Sequence, residues 1–177
     1  LNANTSGSHN VAIGTSGLTA HTSGDDNIGI GYLAGYSGGG TGSDNVFIGV
    51  LAGKNGGQPT SGNANTAIGA SAMSGALSSG QYNTVIAVAG MNALSTGDNN
   101  TAIGFTAGNT GSPGGQVTTG DNGIFLGDEN ITEANIQVDW TIASDKRDKT
   151  DINPMDLGLE FINQLEPVTY RWDKRSK

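Results

Sequence analysis

The pattern Ser/Thr-Gly-x-x-Asn-x-x-Ile-Gly-x-x-Ala-Gly recurs along the first part of this 177-residue chain, and a unit so short can bury its apolar side chains only by stacking on its own copies. The Asn, Ile and Gly of the unit stand at Asn10/Ile13/Gly14, Asn27/Ile30/Gly31, Asn45/Ile48/Gly49, Asn65/Ile68/Gly69 and Asn100/Ile103/Gly104. Asn83 and Ile86 are followed by Ala87 in place of the glycine, and a degraded seventh copy runs from Thr119-Gly120-Asp121-Asn122 into Leu126-Gly127. The spacing varies because residues are inserted at one place in the unit, the longest insertions being residues 36–40, 54–60 and 109–118.

Each unit has room for two short strands and two tight turns, with Ser/Thr-Gly and Gly/Asn supplying the positive φ that the turns need. A short helix is the alternative, but glycine every few residues costs about 1 kcal/mol apiece in a helix. The chain alternates around each Ile, as in Thr66-Ala67-Ile68 and Val46-Phe47-Ile48, and neither face carries a charge. Both faces are therefore expected to be covered.

Composition then limits how. Only 34% of the residues are apolar, and one Ile with two or three small apolar side chains per unit is little against the entropy of ordering the unit. Partner chains must complete the core. A net charge of −8 excludes a nucleic-acid binder, which needs a clustered basic surface. Absence of cysteine excludes disulfides, thiolate zinc sites and cysteine nucleophiles, and two histidines cannot build a histidine cage. No cofactor or metal is expected, and no apolar run approaches the roughly 20 residues of a membrane span.

The repeats resemble the parallel β-roll of trimeric autotransporter adhesin heads and the Asn-Thr-Ala-Ile-Gly repeats of phage tail fibres and spikes. The resemblance covers residues 1–127 and implies a homotrimer on the virion that contacts a host receptor, either a glycan or an outer-membrane protein. The expected fold is a mainly β, trimeric parallel β-roll or β-helix in residues 1–130, a linking strand in 131–143, and a truncated small α+β chaperone segment in 144–177.

Beyond residue 120 the character changes: 19 of the 24 charged residues lie there, with only 3 of the 30 glycines. Residues 136–142 alternate with period two, as a strand does. Pro154 and Asp156 suit a helix start, Leu157, Phe161, Ile162 and Leu165 form its apolar stripe, and residues 168–172 alternate again. Ser144, Asp145, Arg147, Lys149, Asp151 and Ile152 match Ser-Asp-x-Arg-x-Lys-x-Asp-Ile, and Leu165-Glu166-Pro167-Val168 with Tyr170 and Trp172 extends the match. This stretch resembles the beginning of the intramolecular chaperone domain of endosialidase-type tailspikes. The resemblance implies trimerisation followed by a single self-cleavage, with Ser144 as nucleophile, Lys149 as base and Asp145 and Arg147 in support. It implies no turnover enzyme, and the shortness of the segment predicts that this chain keeps residues 145–177 attached. A serine hydroxyl needs such a base, and a lysine can serve only if burial or a neighbouring cation such as Lys146 or Arg147 lowers its pKa. Without the family motif, Ser144 or Asp145 reads as a helix cap in a charged turn.

Other patterns carry less. Gly39-Gly40-Thr41-Gly42-Ser43-Asp44 fits one turn of a calcium β-roll but has no tandem copy, so Asp25, Asp26, Asp44 and Asp98 read as turn formers. Tyr32, Tyr36, Phe47, Tyr82 and Phe105 form either a carbohydrate platform or, the favoured reading, filling within and between chains. His9 and His21 read as surface residues. Thr66, Thr84 and Thr101 suggest an ice-binding array, but Val11, Ile28 and Val46 interrupt it. The main alternative is a bacterial trimeric surface adhesin without self-cleavage. Receptor contact is expected on the three insertions, which packing constrains least.

Overall fold

The computed structural model describes residues 1–56, 60–75 and 78–136. The chain divides into a unit spanning Leu1–Ala134 and a second spanning Asn135–Lys177. The first unit is a β-solenoid. Seven strands of three residues stack in parallel in chain order: β1 (Val11–Ile13), β2 (Ile28–Ile30), β3 (Val46–Ile48), β4 (Thr66–Ile68), β5 (Thr84–Ile86), β6 (Thr101–Ile103) and β7 (Ile124–Leu126). Every strand pairs its equivalent residues without slippage, so Ile13, Ile30, Ile48, Ile68, Ile86, Ile103 and Leu126 form one row. The described residues include no helix. The expected parallel β-roll is therefore present. Each coil carries one recognisable strand rather than two, the rest being turns linked coil to coil by backbone hydrogen bonds such as Leu33 N to Thr15 O and Leu51 N to Tyr32 O.

The core is formed by the middle residue of each strand and the arc that follows it. Phe47, Ala67, Val85 and Ala102 point inward, against Leu18, Ala34, Ala52, Ala72, Met73, Met91, Leu94 and Ala107. The repeated Ile points the other way.

What fixes the register is a buried amide ladder. Each repeat asparagine presents Oδ1 to both the backbone N–H and the Nδ2 of the next: Asn27 on Asn10, Asn45 on Asn27, Asn65 on Asn45, Asn83 on Asn65 and Asn100 on Asn83, all at 2.9–3.2 Å. Nδ2 also donates to a glycine carbonyl one coil on, Asn45 to Gly62 at 2.9 Å and Asn65 to Gly80 at 2.8 Å. A buried carboxamide with its oxygen twice accepted and its nitrogen twice donating leaves no polar atom unpaired, and a one-residue slip would unpair the whole row.

Two sequence expectations change here. The glycine of Ser/Thr-Gly is required by close approach, not by φ: a Cβ on Gly42 would lie 2.1 Å from Gly62 O. Positive φ falls instead on the residue before each ladder position, His9, Asp26, Asp44, Ala64, Tyr82, Asn99 and Asn122, as well as on the glycine after Ile (Gly14, Gly31, Gly49, Gly69 and Gly104) and on arc residues such as Leu33 and Leu51. That places Asn122 one residue early. Gly123 occupies the seventh ladder position, its N–H meeting Asn100 Oδ1 at 2.8 Å, and the ladder ends there for want of a side chain.

A second, exposed ladder satisfies the neighbouring N–H groups. Asp25 Oδ1 accepts from Ser8 N, Asn63 Oδ1 from Ser43 N, Asp98 Oδ1 from Gln81 N and Asp121 Oδ1 from Asp98 N, each at 2.7 Å. Asp25 and Asp98 thus join coils as well as forming turns.

Candidate interaction surface

The outward row is the main surface feature of the solenoid. Ile13 is 57% exposed, Ile86 and Ile103 are 46%, and Val11, Ile68, Ile124 and Leu126 are exposed beside them. The expectation that both strand faces are covered therefore fails within one chain: the inner face is closed by the chain's own arcs, and the outer face is open to solvent. An uncharged apolar strip of this length on in-register parallel strands is the kind of surface that a protein partner covers.

The aromatics separate. Phe47 fills the core, seated so closely on Gly53 that a Cβ there would lie 2.1 Å from the ring, whereas Tyr32, Tyr82 and Phe105 are exposed. His9 is exposed, 3.2 Å from Asp26. His21 corrects its expectation. It is buried, with Nε2 3.0 Å from both Gly42 O and Asn27 Nδ2, and burial holds its pKa below the ordinary 6.5. Sequence reasoning missed it because the position has no histidine in the other copies; the insertion at residues 36–40 brings Gly40 beside its ring.

The insertions differ as well. Ser37 and Gly40 are buried, and the segments around Ser37 and Asn55 form a parallel bridge, so residues 36–40 are part of the stack rather than a free loop. Residues 109–118 do form surface. With residues 128–130 and Phe105 they enclose an open groove of about 470 Å³. Asn109 anchors it, accepting from Asn92 N at 3.0 Å and donating to Ala89 O. Asp128 accepts from Asn130 Nδ2 at 3.0 Å and Asn130 N at 2.9 Å, which holds its carboxyl below the usual range.

Ser144, Lys149, Asp145 and Arg147 lie outside the described residues, as do most of the linking strand and the whole expected helix-and-strand segment; residues 131–136 are described and form no strand. Residues 144–177 match the family model described as Chaperone of endosialidase. No match was found among curated proteins or among solved structures.

Proposed function

We propose that this chain is one protomer of a homotrimeric phage tail fibre, in which the solenoid is the receptor-binding shaft and residues 144–177 begin the chaperone that assembles it. The observation that carries the reading is the pairing of an open, uncharged Ile row with a chaperone-family match after it. Three such faces turned toward a shared axis remove the row from water and add a second apolar layer to the core within each chain. A bacterial adhesin offers the same roll, but the match at residues 144–177 favours the fibre.

Native mass spectrometry tests it. The expected result is a trimer that Ile68→Lys together with Ile86→Lys converts to monomers keeping their β circular dichroism. A wild-type chain that stays monomeric at micromolar concentration overturns the reading.

In the same proposal, self-cleavage follows assembly. Ser144 Oγ attacks a neighbouring peptide carbonyl while neutral Lys149 takes its proton and returns it to the departing amine; water then hydrolyses the ester. Receptor contact falls on the insertions, with residues 109–118 the most accessible.

A further inference from the structure

The groove beyond the turn at Gly104 has a composition that selects a ligand class. Its lining includes the ring of Phe105, 62% exposed, more so than Tyr32, Val50 and Val88, which hold the same repeat position in other coils. The rest of the lining is polar, with Gln116, Thr110 and Glu129 exposed and Thr106 half-buried. The Glu129 carboxylate reaches back over the insertion, since a Cβ on Gly111 would lie 2.4 Å from its Oε2. Asn109 and Asp128, also in the lining, are already engaged by Asn92 and Asn130, which holds them in place. Among the described residues, no lysine, arginine or histidine lines the groove.

An aromatic ring sharing a groove with planar amide and carboxylate groups suits a ring with an apolar C–H face and a rim of hydroxyls. The carboxylates and the absence of cations repel anionic sugars, phosphates and nucleic acids. We infer that this groove is a binding subsite for a neutral pyranose, with Phe105 stacking on the sugar face and Glu129 and Gln116 accepting from and donating to its hydroxyls. The inference deepens the receptor-binding reading and rests on it for its biological setting.

The test is saturation-transfer NMR of the full chain with neutral methyl glycosides of glucose, galactose, mannose and N-acetylglucosamine, with methyl glucuronide and glucosamine alongside, on samples whose oligomeric state is measured. We expect millimolar binding of at least one neutral glycoside, weakened at least tenfold by Phe105→Ala, retained in Phe105→Tyr and weakened severalfold by Glu129→Gln. No binding of any neutral glycoside, unchanged binding in Phe105→Ala, or a preference for the glucuronide or for glucosamine overturns the subsite. So does loss of the oligomer in Phe105→Ala, which would make Phe105 an interface residue. Sugar binding by a monomer overturns the trimer and supports the groove; a trimer that binds no glycoside overturns the groove alone.

Discussion

Asn45 and Asn65 stand twenty residues apart in sequence, yet Asn45 Oδ1 accepts two hydrogen bonds from Asn65, from N at 3.0 Å and from Nδ2 at 3.1 Å. That pair is the unit from which the register of the solenoid is built. Its interruption should be felt on both sides.

Asn65→Ala removes the acceptor for Asn83 N and Asn83 Nδ2, leaves Asn45 Oδ1 without its side-chain donor and deprives Gly80 O of its partner. With buried unsatisfied groups at about 1–3 kcal/mol each, we expect a loss of about 3–5 kcal/mol. Asn10→Ala, at the open end of the ladder, should cost clearly less. Denaturant midpoints of the two variants check the difference, and equal losses would refute the ladder as the main determinant.

Gly42→Ala should be as damaging as a core substitution, because its methyl would occupy the space of Gly62 O and force two coils apart. Ala64→Gly should instead stabilise by about 0.5–1 kcal/mol, since Ala64 sits at φ 53°, where a Cβ is penalised. Thermal melts of both variants read the opposite signs.

His21 predicts an acid-sensitive limb of stability. The tautomer that keeps the ladder intact carries its hydrogen on Nε2 and donates to Gly42 O; a second proton places a charge where burial opposes it. The folded pKa lies below the unfolded 6.5, so this contribution is fully present above 6.5. As pH falls from there, the unfolded chain takes up the proton first, and stability declines until the folded pKa is passed. Melting temperatures between pH 7.5 and 5 should fall for the parent and fall less for His21→Gln.

Ser144→Ala and Lys149→Ala should abolish the self-cleavage proposed at Ser144 and leave trimerisation unchanged. Lys149→Arg should fail too, because a guanidinium keeps its proton near neutral pH. Intact mass after purification reads the outcome. Efficient cleavage in Lys149→Ala would assign the base to another group.

The period of Asn, Ile and Gly determined that the chain stacks as short parallel strands, because a unit of about twenty residues with one apolar alternation permits no other way to pair its backbone. The uncharged strands also led to the expectation that both faces are covered, which holds within one chain for the inner face alone. Which face closes on itself was decided by the tertiary structure. Ala67 and Ile68 look interchangeable as apolar neighbours, but the middle residue of each strand, whether Ala67, Val85 or Phe47, turns in against the arc that follows, and the Ile row is left outside. The role of Gly42 was hidden for the same reason: close approach between coils is a relation between residues far apart in sequence, and composition records only that a glycine is present. His21 stands outside the period, and Phe105, although it follows Ile103-Gly104 as Tyr32 follows Ile30-Gly31, meets different neighbours. One is buried because an insertion in the next coil lies beside it, and the other lines a groove because two segments meet around it. Only the assembled coils could show either.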